Sequence, residues 1–317
     1  MVDTFTDGTV YANLLTAGYD KYLEYTLRSN PVFRQFVSKR PVDVTNPGPS
    51  VVLTIMPEFA ALATTPLGES TDVSAVAPQT PVRVTVTLNE YGNADISTLR
   101  VRDLAFAQVE PAIANLIGKN MVDTMDKLVQ NTLDGATNII GVNGGVVKTQ
   151  TSSFAEGSVA AGDIFSPAVA LDAVTLLRRR NAMGWDVADQ FVALIHPDVA
   201  ADVMTSTGWL NPHNYVDTAN VYNAEIGSYL GARYIQTPRA TVVTDGAGGT
   251  VKVYRTYFLG KQGVVEALVR DASVVVGPQT DKLRRFFPIG WYAHAGWAIY
   301  RQEPIQIART ASSISAL

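Results

Sequence analysis

Between two runs rich in β-branched residues, SVVLTI and VRVTVTL, lie 26 residues, MPEFAALATTPLGESTDVSAVAPQTP, with no periodic pattern of their own. Connections longer than about 12–15 residues are uncommon inside compact domains, because their backbone groups need water or a partner. This segment is neither Gly/Ser-rich nor strongly charged, so it does not read as a flexible linker. It carries Phe59, Leu62, Leu67, Val73 and Val76, which gain free energy only when something covers them. Run out and back, it reaches roughly 40 Å at about 3.3 Å per residue. The two strands and their segment therefore predict an arm that packs on another copy of the same chain.

Composition supports an assembly. The chain has 317 residues with 47% apolar content, enough for one large or two moderate cores. Charged residues make up only 17%, below the usual quarter, as expected when much of the surface lies between subunits. A net charge of −4 argues against a sequence-specific nucleic-acid reader working through a basic field. The absence of cysteine excludes disulfides, thiolate metal sites and thiol nucleophiles. No run of about 18 apolar residues predicts a membrane span, and MVDTFTDGTV lacks the regions of a signal peptide. The expected setting is the cytoplasm, or particles assembled there.

Along the chain, YANLLTAGYDKYLEYTLRSNPVF places Leu14, Leu15, Tyr19, Tyr22, Leu23 and Leu27 at helical spacing, an amphipathic helix in need of a partner. NEYGNADIST reads as a turn. A helix of about 22 residues or more follows, with Pro111 near its first turn, Ile113, Leu116, Ile117, Met121, Met125, Leu128 and Leu133 on one side, and Gly135 at its end. Residues 136–165 read as a connection. SPAVALDAVTLLRRRNAMG is a helix capped by Ser166 and closed by Gly184, FVALIHP a buried strand leading into a helix at Pro197, and ATVVTDGAGGTVKVY a hairpin. IGWYAHAGWAIYRQEPIQIART reads as two strands returning to the first domain beside the long helix. The order is that of an α+β chain with one domain inserted in another.

Three stretches carry a family resemblance: TPLGESTDVSAVAPQTPVRVTVTLNEYGNADIST, FVALIHPDVAADVMTS and YNAEIGSYLGARYIQTPRA, the last with Ala224 where the family pattern has Gly. They resemble the major capsid proteins of tailed phages with the Hong Kong 97-like fold, in the branch related to the capsid protein of coliphage N4. The resemblance implies an N-terminal arm at 1–49, an extended loop at 50–90 lying over a neighbour, a peripheral domain at 91–165 and 266–317 built on a spine helix, and an axial domain at 166–265. It implies hexamers and pentamers in an icosahedral virion shell assembled in the host cytoplasm, a separate scaffolding protein, a portal, double-stranded DNA held without sequence specificity, and room for a decoration or clamp protein. Only about 49 residues precede the loop, too few for the fused scaffolding leader of some members, so no large N-terminal truncation is expected. Some relatives lock their shells through a loop lysine, but none lies between Lys39 and Lys119 here. The alternative within the fold is an encapsulin-like bacterial compartment shell.

The residues point to no catalytic, cofactor or metal site. His196, His213 and His294 are scattered and lack the i, i+4 partner of a zinc helix. His196 reads as a helix cap; the competing reading is a general base beside Asp198 in an α+β enzyme. DGAGG lacks the Lys-Ser/Thr ending of a phosphate loop and reads as a hairpin turn, and GVNGG follows a helix instead of opening one. Phe286, Phe287, Trp291, Tyr292, Trp297 and Tyr300 read as sheet core instead of a base-stacking surface. Glu225 reads as structural. The subunit-interface candidates are Phe59, Leu62, Leu67, Glu69, Val73 and Val76 in the loop, Leu23 and Leu27 in the arm, and Arg178, Arg179 and Arg180 at a helix end, where cations also suit the helix dipole.

Overall fold

The computed structural model describes residues 30–42, 48–57, 59, 66, 69–70, 72, 77–104, 109–151, 154–185, 189–206, 225–278 and 281–316. The predicted arm helix with Leu23 and Leu27, the loop residues Leu62, Leu67, Val73 and Val76, and His213 lie outside the described residues. In chain order the elements are a 3₁₀ turn at Phe33–Phe36, β1 (Ser38–Pro41), β2 (Ser50–Ile55), β3 (Val82–Thr87), β4 (Asn89–Thr98), α1 (Leu99–Leu104), α2 (Val109–Asp134), β5 (Asn138–Asn143) and β6 (Val146–Thr151). They continue with α3 (Pro167–Arg179), β7 (Phe191–Ile195), α4 (Pro197–Thr205), β8 (Glu225–Tyr229), β9 (Ala232–Gln236), β10 (Val242–Thr244), β11 (Lys252–Leu259), β12 (Val264–Val276), β13 (Phe286–Ile299) and β14 (Ile305–Thr310). The chain divides into two compact units, residues 1–28, 92–121 and 273–292, and residues 29–91, 122–272 and 293–317.

In the larger unit an eight-stranded mixed sheet runs β6-β5-β14-β11-β7-β9-β8, with β10 pairing on β11. Its middle strands are apolar on both faces, as strands covered twice must be, and β7 (FVALI) is buried at every residue. On one face lie α3 and α4, through Val169, Ala173, Val174, Leu177, Val199 and Val203 against Phe191, Ala193, Ile195, Tyr234 and Phe258. Val129 and Leu133 of α2 share the other core with Val192, Leu194, Ile235, Tyr257, Ile305 and Ile307. The last strand thus returns beside the long helix, as its pattern predicts, while pairing inside this sheet between β5 and β11. β5, β6 and β14 share one continuous sheet with β7–β11. A second sheet runs β1-β12-β13-β4, and β2 pairs with β3 alone.

Four sequence readings are corrected by local physics. NEYGNADIST is not a turn but the ten-residue strand β4; Gly92 is there because a Cβ would stand 2.7 Å from the Trp291 carbonyl oxygen of the adjoining strand. Residues 136–165 are not a plain connection: GVNGG ends β5 and turns the chain into β6 at Gly144 and Gly145, both with positive φ. α3 ends at Arg179, before Gly184, because Asn181 takes the left-handed conformation at φ 57°, and Ser166 occupies the N-cap position without a side-chain cap bond. On α2 the buried stripe is Ile117, Met125, Val129 and Leu133, at multiples of four, together with Asp126 and Gln130, whereas Leu116 is 55% exposed.

Candidate assembly surfaces

The β2–β3 ribbon is the element the opening segment requires. Its antiparallel register runs from Ser50↔Thr87 to Ile55↔Val82, which puts Val51, Leu53, Ile55, Val82, Val84 and Val86 on one face. Along β3 burial on that face falls away from the root, while Val51, Leu53 and Ile55 of β2 stay half-buried. Val86 is fully buried with Leu88, Val265, Ala267 and Tyr300, Val84 is half-covered, and Val82 is 55% exposed. Past the ribbon, Met56 and Phe59 are 75% and 61% exposed, and Glu69 is exposed. The apolar face continues where the chain's own cover stops, which is the signature of a surface completed by something else.

The segment just before β1 is held by a buried plug. Phe33 and Phe36 sink into the core beside α2, Phe33 edge-on to Tyr257 and Phe36 edge-on to Trp185, both at 5.4 Å between centroids. Buried Asp126 of α2 accepts the Arg34 backbone N–H at 3.0 Å, satisfying a donor at the start of the 3₁₀ turn. Burial pushes the Asp126 carboxyl pKa up. The Arg34 guanidinium donates to Glu266 Oε1 through Nε at 3.0 Å and reaches Asp271 Oδ1 through Nη2 at 2.9 Å. Burial lowers its pKa, but Asp271 and Glu266 outweigh this and hold it above the ordinary value. β1 then pairs in parallel with β12, Ser38↔Val265 to Pro41↔Leu268. None of Arg34, Asp126 or Glu266 was among the sequence candidates; the signal was Glu266 inside the apolar run VVEALV, a buried charge that demands a partner.

Below the plug, polar side chains of α2 staple the helix to the large sheet. Arg239 pairs with Asp123 at 2.7 Å, Gln130 Nε2 donates to Thr241 Oγ1 at 2.8 Å, and Arg255 bridges Asp134 at 2.9 Å and Glu156 at 2.7 Å. These partners lie at positions 123, 130 and 134, one face of a 3.6-residue helix. The Arg178–Arg180 cluster splits. Arg180 donates to buried Gln306 at 2.8 Å and its pKa is lowered by burial, whereas Arg178 and Arg179 are exposed.

His196 and Asp198 do come together, Nδ1 to Oδ2 at 3.4 Å, but both serve the fold. His196 accepts the Asp198 backbone N–H as the N-cap of α4, and burial pulls its pKa below the ordinary value despite the nearby carboxylate. Tyr254 donates to Asp198 Oδ2 at 2.6 Å, and burial with that carboxylate drives the phenol pKa far up. One turn on, Asp202 accepts the backbone N–H and hydroxyl of Ser313, and Ser312 Oγ donates to the Asp198 carbonyl, so the pair of aspartates anchors the C-terminal segment. Of the aromatics predicted as core, Trp291 and Tyr300 are buried, while Phe286 is exposed. Among the described residues no group of three or more His, Asp and Glu could hold a metal ion, and no helix is long and apolar enough to cross a membrane.

In the smaller unit, Trp291 Nε1 donates to Asn120 Oδ1 of α2 at 2.9 Å and the Leu99 N–H donates to the Arg285 carbonyl at 2.9 Å, tying α1 to the start of β13. Between them opens a cleft of about 600 Å³ lined by Thr98, Leu99, Arg100, Asp103, Arg285 and Phe286. Beside it the turn at residues 281–284 closes with an Arg284 N–H to Asp281 carbonyl bond at 2.9 Å.

Residues 104–294, well over half of the chain, match the phage capsid protein family, and the chain belongs to that family. Its architecture is the Hong Kong 97-like capsid fold that the sequence resemblance implies. The capsid of Ralstonia phage GP4 superposes with a TM-score of 0.73 at 14% identity, covering 98% of both chains. The cyanophage Pam1 capsid does so with a TM-score of 0.71 at 13% identity over 98% of this chain and 100% of that one, and the cyanophage P-SCSP1u capsid with 0.73 at 13% over 96% of each. No curated protein sequence matches the chain. Together these make it a major capsid protein of a phage and do not favour an encapsulin-like shell.

Proposed function

We propose that copies of this chain assemble through hexamers and pentamers into a closed icosahedral shell around double-stranded DNA, and that residues 56–81 lie over an adjacent copy. The observation that carries this reading is the ribbon whose β3 side loses its cover from Val86 to Val82 and whose chain runs on into exposed Met56 and Phe59. Closed symmetry lets individually modest contacts add, so no single one needs the area of a stable dimer interface. In this reading the chain works by assembly and not by catalysis, residues 91–165 and 266–317 form the peripheral domain, and residues 166–265 form the axial domain. Arg178 and Arg179 face neighbouring copies across the capsomer. A separate scaffolding protein, a portal and a decoration or clamp protein complete the particle, which assembles in the host cytoplasm. The three stretches quoted above support reading the chain in the branch related to the coliphage N4 capsid protein. Deleting residues 57–81 tests the central point: the variant is expected to stay folded and soluble but to form no closed shells, and normal particles from it would sink the reading.

A further inference from the structure

The turn between β5 and β6 contains the only Asn-Gly step of the sequence, Asn143–Gly144. Such a step is chemically exposed, because glycine has no side chain to shield its backbone nitrogen from the asparagine amide beside it. Asp-Gly steps offer the same attack more slowly, since an ionised carboxylate resists it. The chain has them at Asp134–Gly135 and Asp245–Gly246, and at Asp7–Gly8 outside the described residues. The structure separates these steps. The Gly135 N–H donates to the Thr132 carbonyl at 3.2 Å, and Asp134 is committed to Arg255 at 2.9 Å and to Tyr257. The Gly246 N–H donates to the Val251 carbonyl at 3.0 Å in a buried, crowded spot, where a Cβ would stand 2.6 Å from the Val251 Cβ. Gly144 differs on each count. Among the described residues nothing accepts its N–H, and beyond its chain neighbours no atom lies within 4 Å of where a Cβ would be. Asn143 is exposed, and among the described residues its side-chain amide makes no hydrogen bond. The turn is pinned one residue further on, where the Gly145 N–H donates to Oδ1 of buried Asp163 at 2.8 Å.

From the free Gly144 nitrogen beside the exposed Asn143 amide we infer that Asn143 is a site of spontaneous deamidation, which opens the end of the β5–β6 hairpin. The Gly144 nitrogen attacks Asn143 Cγ, the new C–N bond forms, the Cγ–Nδ2 bond breaks, and the side-chain amide takes the Gly144 proton and leaves as ammonia. Water then opens the cyclic imide. Addition at Cγ gives aspartate, and addition at the main-chain carbonyl gives isoaspartate, whose backbone runs through the former side chain and is one carbon longer. For the attack Asn143 must leave its extended conformation, and this opens only Asn143↔Val146, the last pair of the ladder, on the edge strand of the sheet. Losing two hydrogen bonds of ordinary strength slows the folded chain about thirtyfold relative to an unfolded one. With its longer backbone, isoaspartate restores neither the Asn143↔Val146 pair nor the Gly145 bond to Asp163, so the turn stays open. The chemistry is independent of the capsid reading. On that reading a closed particle cannot replace its chains, so the converted fraction rises with the particle's age.

The test incubates the full chain, as purified, at mildly alkaline pH and follows it by peptide mass spectrometry, in which each deamidation adds about 1 Da. Asn143 is expected to convert before any other asparagine, to both aspartate and isoaspartate, and about thirtyfold more slowly than in a urea-unfolded sample. N143Q, whose longer side chain closes the ring poorly, should keep its mass at that position. Hydrogen exchange gives the second measurement. At Gly145 and Val146 it should be at least about tenfold faster in the isoaspartate fraction than in fresh protein. Fresh N143D, which carries the new charge on a normal backbone, should stay within about twofold of the parent. Asn143 holding its mass while another asparagine converts, or isomerisation at Asp134 or Asp245 ahead of it, would overturn the assignment of the site. Exchange unchanged in the isoaspartate fraction, or N143D exchanging as fast as that fraction, would overturn the opening of the turn by the lengthened backbone.

Discussion

Arg34 reaches from the segment before β1 to Glu266, whose side chain is fully buried, so replacing Arg34 with methionine leaves a carboxylate in the core without its cation. Removing one partner of a buried pair typically costs about 3–5 kcal/mol, because the remaining charge cannot regain water. Asp271, largely exposed, adds at most about 1 kcal/mol to the loss. At about 2 °C per kcal/mol for a chain of this size, R34M is expected to lower the unfolding temperature by about 6–10 °C. The companion change E266M leaves Arg34 with Asp271 and partial access to water, for a cost of about 1–2 kcal/mol. The double variant R34M/E266M replaces the pair with apolar groups of similar volume and is expected within about 1 kcal/mol of the parent or above it. Scanning calorimetry of the unassembled chain at fixed concentration reads all four corners of the cycle. An R34M chain that melts with the parent, or a double variant less stable than R34M alone, would refute the view that this pair locks the plug.

The plug's apolar half is tested by F33A, expected to cost about 3–5 kcal/mol in urea unfolding because Phe33 is fully buried against Tyr257. The capping His196 has a folded pKa below its unfolded value, so its contribution is present above about pH 6.5 and lost as the pH falls through the folded pKa. H196N keeps a capping acceptor without the titration, so its stability should decline less than the parent's between pH 7.5 and 5; parallel declines would contradict that assignment. With no cysteine, and no lysine between Lys39 and Lys119, mature particles boiled in detergent should release one band at 34.1 kDa, and a ladder of covalent multimers would show that some other residue supplies a cross-link.

Much of the fold was legible because its elements obey simple periods. The long helix, the FVALI strand, the cap at His196 and the hairpin around DGAGG follow from apolar spacing and turn chemistry, and each stands where its pattern puts it. What escaped depends on partners distant in sequence. NEYGNADIST looks like a turn until Trp291, about 200 residues away, shows why a glycine must sit inside a strand. Glu266 betrays an unmet charge, but only the fold reveals that Arg34 meets it. In the sequence the loop reads as an arm because its apolar residues follow no local period, whereas the cations Arg100, Lys282 and Arg284 stand on α1 and on a turn about 180 residues later, where no one-dimensional signal joins them.

The central claim is that the chain closes into a shell in which its loop is covered by a neighbour. Electron cryomicroscopy of the purified protein, alone and co-expressed with its genomic neighbours, tests it most directly. The expected result is closed icosahedral particles with residues 56–81 buried against an adjacent copy. Particles whose loops stand free in solvent, or a protein that stays a single 34.1 kDa species under every assembly condition, would contradict it.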